Sequence, residues 1–364
     1  MANLVLVGGH LITPLDQSVA NVAIEGGQIE SISAETPVAT ASTRVLDVTR
    51  CYVTPGLLDL QVNGGGSCNL WGDPTAQEVE ALCKRMVQSG VTCFLPTLIT
   101  DDLAHMSKNI SFLQSLGVGQ ADRVVFGARL PGIHLEGPCL SPARPGVHPV
   151  RWLQPFNISV LEQIVRAPVI LVTAAPELDP DGEALRWLAS NGVTLSLGHS
   201  NASFAEASTA FDRGIAMITH TYNALPPLHH RAPGAVGAAM LDDRVSCCII
   251  CDGLHVDANS VRLLLRVKGA DHSILVTDVA QVGTTGGGLM GSSIYLDEAV
   301  RNVVAWKAAT FAEAIKMATW NPARAVGLQD SVGLIDVGRN ADLVVWEKET
   351  LAIRHVIVGG EVVV

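Results

Sequence analysis

Eight short apolar runs, most of them followed by an amphipathic helical segment, constrain this chain more than any other feature. They lie at residues 56–62, 92–98, 132–136, 168–174, 194–198, 216–219, 247–251 and 273–277. Helical periodicity follows at 76–89, 181–190, 204–213 and 259–267. Strands that are apolar on both faces and alternate with helices belong to a parallel sheet covered on both sides. Eight of them predict an α/β fold, a closed (β/α)8 TIM-type barrel. A doubly wound open sheet is the alternative, but no Gly-x-Gly-x-x-Gly turn follows the first strand.

The two chain ends read differently. Period-two alternation with glycine turns marks short strands before residue 55, with a hairpin signal at Glu25-Gly26-Gly27-Gln28. The same pattern returns at 341–346 and 353–358, followed by a Gly359-Gly360 turn. The expected organisation is a barrel at 55–330 and a small β-sandwich built jointly from 1–54 and 331–364.

Hydrophobic residues make up 48% of the 364 and charged residues 16%, so most of the chain is packed and none is disordered by composition. The net charge is −11, with no basic run, which argues against nucleic-acid and membrane-surface partners. An anionic substrate would have to be held by a few local donors. The start of the chain has no signal-peptide character, and no apolar run is long enough to cross a membrane. The eight scattered cysteines suit buried thiols in a reducing cytoplasm. Cys248-x-x-Cys251 encloses two isoleucines, so core packing is favoured there over zinc or redox chemistry.

The chemistry collects at the strand ends, where a β/α barrel carries its active site. The third strand, Gly132-Ile133-His134-Leu135-Glu136-Gly137-Pro138, stops on a carboxylate. The fifth ends at His199, the sixth at His220 and the eighth at Asp278. One such residue alone is usually a satisfied polar group or a helix cap; four on separate strands form a set. Glu136, His199 and His220 are the ligand types of a catalytic zinc, and iron or another divalent ion accepts them too. Asp278 is then placed to take a proton from a metal-activated water and pass it to a leaving nitrogen. The reaction implied is hydrolysis of an amide-like bond. His134, two residues before Glu136, is expected deeper in the barrel, in a supporting role.

At these residues the chain resembles the amidohydrolase superfamily, and within it the sugar-phosphate deacetylases. The carriers are Pro55 to Gly64, His134-Leu135-Glu136-Gly137-Pro138, Leu197-Gly198-His199-Ser200, Thr219-His220-Thr221-Tyr222-Asn223-Ala224, Asp252-Gly253-Leu254-His255 and Val276-Thr277-Asp278. The resemblance implies a cytoplasmic enzyme of amino-sugar catabolism or cell-wall recycling that removes acetate from N-acetylglucosamine 6-phosphate. Most of the superfamily carries His-x-His on the first strand and a second metal. Gln61 and Asn63 stand there in this chain and are assigned to the substrate pocket; amides are poor ligands, so one metal per subunit is expected. The resemblance further implies that Asn223, Ala224 and Arg231 hold the phosphate. Arg231 would reach in from the neighbouring subunit of a homodimer, and His148 and His255 would contact the sugar or acyl group.

Two departures stand out. Residues 139–147 are less basic than in relatives. The run after Asp278 reaches Gly291-Ser292-Ser293 without an added β segment, which predicts a more open pocket and broader acyl tolerance. Another amidohydrolase activity is disfavoured by Gln61, Asn63 and Glu136. A catalytically dead assembly protein is disfavoured by the intact set of four.

Overall fold

The structure is a computed structural model describing residues 2–13, 17–35, 40–281 and 290–364. Eight parallel strands form the barrel wall. They are β1 (Leu57–Val62), β2 (Val91–Ile99), β3 (Ile133–Glu136), β4 (Val169–Ala174), β5 (Thr194–Leu197), β6 (Met217–Ile218), β7 (Ser246–Ile250) and β8 (Ser273–Val276). Each pairs in parallel with the next from β1 through β8. The circuit returns to β1 through a parallel bridge between Val62 and Val279 and a 2.8 Å bond from Asn63 N–H to Val279 O. Thr277 Oγ1, just past β8, donates to the buried Asp59 carboxylate of β1 at 2.5 Å.

The apolar runs are explained by burial on both faces: every residue of β1 and β2 is buried. Side chains such as Leu58, Leu60, Leu95 and Ile250 fill the barrel interior, while their neighbours pack outward beneath the helices. Helix starts follow local capping. Thr75 with Glu78, Ser203 with Glu206 and Thr310 with Glu313 each form a capping box, in which side chain and backbone satisfy each other's free donors. All eight cysteines are buried and unpaired. Cys248 packs inside the barrel and Cys251 in the outer layer, so the Cys-x-x-Cys is core packing.

The chain ends share one sheet. Leu343–Glu347 runs antiparallel to Cys51–Pro55, which continues to Leu4–Ile12, Gln17–Glu25 and Gln28–Ser33; Ile353–Val358 extends the other side. Its core includes Leu4, Val22, Ile24, Val53, Leu343 and Ile357.

A buried ion pair joins this β-sandwich to the barrel. Arg129 lies on a short strand alongside β2. Its Nε and Nη2 donate to the two carboxylate oxygens of Asp342 at 2.5 and 3.2 Å, and its Nη1 donates to Asp122 O at 2.6 Å. Gly359 N–H also donates to Asp342. An intact buried pair adds little net stability, but removing one partner strands a charge away from water. Asp342→Ala is expected to lower the unfolding free energy by about 3–5 kcal/mol in urea titration. A loss under about 1 kcal/mol would show that the guanidinium finds water or another partner.

Candidate active site

Four strands deliver the four residues to one place. Glu136 ends β3; His199, His220 and Asp278 each lie two residues beyond β5, β6 and β8. His199, His220 and Asp278 have φ of 47°, 28° and 52°, a left-handed backbone that side-chain-bearing residues rarely adopt. At each of them the chain leaves its strand through this unfavourable turn, and the side chain lines the pocket. Such strain persists where surrounding structure enforces it, and it clusters at functional sites. After Glu136 the turn falls on Gly137, at φ 89°, where a Cβ would sit 2.3 Å from Thr100 Oγ1. Only glycine fits there.

Glu136, His199 and His220 converge, with one ligand atom from each within 4.8 Å of the others. Glu136 Oε1 lies 2.9 Å from His220 Nε2 and 3.3 Å from His199 Nε2, and the two Nε2 atoms are 3.1 Å apart. All three side chains are buried. His199 Nδ1 faces the carbonyl oxygen of Arg144 at 3.1 Å, so it carries the proton and leaves the Nε2 lone pair pointing into the cluster. A backbone carbonyl on the far nitrogen is the usual support of a metal-bound imidazole. One carboxylate and two imidazoles converging out of water therefore suit a divalent cation.

The electrostatics agree. Burial alone would push Glu136 up, but His148, His199 and His220 hold it well below the usual carboxylate range. Burial, reinforced by His148, lowers His199 to about 4. Burial also opposes charge on His220, yet Glu136 and Asp278 raise it overall. Asp278 is pushed up to about 7, first by burial and then by the charge of Glu136. A carboxylate with that proton affinity is matched to taking and returning a proton near neutrality.

Gln61 and Asn63 reach the two carboxylates rather than a metal position. Gln61 Nε2 donates to Glu136 Oε1 at 2.9 Å, and Asn63 Nδ2 donates to Asp278 Oδ1 at 2.5 Å. Asn63 lines the pocket; Gln61 lies buried beneath it. His134 is enclosed in the barrel, with Nδ1 facing Leu60 O and Nε2 facing Thr173 Oγ1, and burial lowers it to about 4. It supports from below.

The other predicted residues separate into two groups. His148, Asn223, Ala224 and His255 line the same cavity, of about 320 Å³, together with Glu136, His199, His220 and Asp278. His148 Nδ1 accepts from Thr100 N–H at 3.2 Å, so its Nε2 carries the proton; that atom lies 3.6 Å from Glu136 Oε2. Arg231 is exposed on the loop after β6 and is not part of its own chain's cavity. The less basic loop 139–147 crosses the rim, and its Gly146 and Val147 line the cavity. The run after Asp278, expected to be short, lies mostly outside the described residues, at 282–289; at its base Val279 pairs with Ser292.

Sequence reading passed over several residues. Asp252 accepts from His255 Nδ1 at 2.6 Å and from two backbone N–H groups, fixing the imidazole. Their i, i+3 spacing in Asp252-x-x-His255 was the available signal. Thr100, Trp71 and Ile99 carried none.

Comparison with known proteins agrees with this geometry. The chain matches the model of the amidohydrolase family over residues 52–363. It is 31% identical to the N-acetylglucosamine-6-phosphate deacetylase of Bos taurus, over 86% of this chain and 83% of that one. With the Bacillus subtilis deacetylase of the same name it shares 29%, over 95% and 93%. A Mycobacterium smegmatis N-acetyl-D-glucosamine-6-phosphate deacetylase, solved with N-acetyl-D-glucosamine-6-phosphate, superposes with a TM-score of 0.88 at 27% identity, covering all of both chains. Amidohydrolases are metal-dependent, and the Glu136, His199 and His220 cluster is of a kind that can hold a metal ion. The chain belongs to the amidohydrolase family, in the branch that contains the N-acetylglucosamine-6-phosphate deacetylases.

Proposed function

We propose that this protein hydrolyses the acetamide of N-acetylglucosamine 6-phosphate to glucosamine 6-phosphate and acetate, in amino-sugar catabolism or cell-wall recycling. The observation that carries the reading is a buried Glu-His-His cluster that shares one cavity of sugar size with the half-buried Asp278. The named relatives supply the substrate class.

Glu136, His199 and His220 would hold one divalent ion, zinc by the chemistry of the donors. Bound there, such an ion makes water acidic near neutral pH and polarises a carbonyl oxygen. Asp278 takes the proton of the attacking water and delivers it to the amide nitrogen as the C–N bond breaks. Asn63 holds Asp278 in place through its amide N–H. His148 offers its Nε2 proton to an oxygen in the cavity, and Asp252 orients His255 on the far wall. The backbone at Asn223 and Ala224, with Arg231 from a second subunit, forms the phosphate site of a homodimer. A planar guanidinium and a few amide donors suit a phosphate.

Residues 1–54 with 331–364 form the β-sandwich unit and 55–330 the barrel unit in this reading. The pairing of Leu343–Glu347 with Cys51–Pro55 supports that division. No helix among the described residues is long and apolar enough to cross a membrane. Eight unpaired thiols favour a cytoplasmic location.

The test is acetate release from N-acetylglucosamine 6-phosphate and from the unphosphorylated sugar, with and without chelator. Phosphate-dependent activity that chelator abolishes and added metal restores is expected. Equal rates on both sugars would remove the phosphate site; chelator-resistant activity would remove the metal. A second reading, the galacto epimer, is favoured by 31% identity to the N-acetylgalactosamine-6-phosphate deacetylase of Escherichia coli O157:H7, over 80% of this chain and 82% of that one. Assaying both epimers side by side decides between them.

A further inference from the structure

The cavity has two unlike sides. The loops after β6 and β7 contribute Asn223, Ala224 and His255, which are polar or offer backbone donors. Across the barrel mouth, the loop after β1 contributes Trp71 and the end of β2 contributes Ile99, both apolar. Ile99 ends β2 directly beside Glu136, its register partner across the β2–β3 pairing, and is almost completely buried.

Trp71 is half-buried and its loop is anchored from below. Trp71 N–H donates to Asn69 Oδ1 at 3.2 Å. The next residue, Gly72, accepts on its carbonyl from the buried Asn109 Nδ2 at 2.7 Å. Asp73 is bound by Lys108 Nζ at 2.5 Å. Asn109 and Lys108 both belong to the helix Leu103–Ser115, so the indole is mounted on a rigid element.

A secondary amide is planar and trans, so its acyl substituent and its nitrogen substituent lie on opposite sides of the C–N bond. With the amide carbon between the metal cluster and Asp278, a sugar phosphate directed at Asn223 and His255 leaves the acyl group pointing at Trp71 and Ile99. We infer that Trp71 and Ile99 form the acyl wall of the site and set the length of the N-acyl chain that it accepts. This rests on the deacetylase reading above and extends it to a specificity that no catalytic residue supplies.

The experiment compares kcat/KM for N-acetyl-, N-propionyl- and N-butyrylglucosamine 6-phosphate in wild type, Trp71→Ala, Ile99→Ala and Trp71→Phe. One methylene in a well-fitted apolar site changes kcat/KM by roughly 10–200-fold. Opening the wall is therefore expected to raise the butyryl-to-acetyl ratio at least about 10-fold in each alanine variant. Bound metal and the preference for the 6-phosphate over the unphosphorylated sugar stay at wild-type values, and Trp71→Phe, which opens the wall less, gives a ratio between wild type and Trp71→Ala. Ile99→Ala tests the wall independently should Trp71→Ala fold poorly. A ratio unmoved in both alanine variants, or an equal loss on all three acyl groups, overturns the inference. Wild-type protein that releases no acetate from N-acetylglucosamine 6-phosphate overturns the deacetylase reading as well, which separates the two failures.

Discussion

Asp278→Asn is expected to lower kcat for acetate release by about 10³-fold while leaving bound metal unchanged. Asparagine preserves the shape and still accepts the 2.5 Å bond from Asn63, so the loop and its left-handed turn at φ 52° persist. What it lacks is a basic oxygen. In wild type burial, and then the nearby Glu136 charge, push that oxygen's proton affinity up to about 7. Positioned proton transfer contributes about 10²–10⁴-fold in enzymes generally. Asp278 is asked to do it twice in one cycle. KM is expected to change little, because the carboxylate acts on the water and the leaving nitrogen rather than on ground-state binding. The check is steady-state kinetics with metal content measured on the same sample. A kcat within about tenfold of wild type would end the general-base assignment.

Glu136→Gln has the second large effect, and it is on metal affinity. Glu136 is the only carboxylate in the cluster of three, and its charge faces three imidazoles. Glutamine keeps the size and removes the charge that offsets a divalent cation. Outer partners of metal ligands are worth about 10–100-fold in affinity, so loss of a charged ligand should exceed 100-fold. Gln61→Ala provides the internal scale. The Gln61 side-chain amide donates to Glu136 at 2.9 Å, so its removal should fall within that 10–100-fold range. Competition against a chromophoric chelator measures both. Excess metal should restore part of the Glu136→Gln activity, since Asp278 is untouched. Equal affinity in Glu136→Gln and wild type would place the metal elsewhere.

The Gln61 and Asn63 pair shows where reading the chain stops. That amides stand where the superfamily carries His-x-His was legible, and so was the consequence that they are poor ligands. That one amide orients Glu136 and the other orients Asp278 was not. Those bonds span 75 and 215 residues, and they exist only once β1 lies between β2 and the end of β8. Asp252 and His255 form the contrasting case: their contact spans three residues, so the Asp-x-x-His spacing carried it, although the role of Asp252 was passed over.

By itself, the sequence determined the barrel strands to within about one residue and the joint origin of the β-sandwich. It also picked out the four residues that converge at the barrel mouth. Burial imposes a pattern on every strand that has two covered faces, and a strand's end marks the barrel rim, so both are encoded locally. Tertiary structure alone decided the left-handed turns at His199, His220 and Asp278, the tautomers of His148 and His199, the Arg129–Asp342 pair and the apolar wall of Trp71 and Ile99. Each depends on groups far apart in the chain, brought together only when the sheet closes. No periodicity within one segment can carry that information.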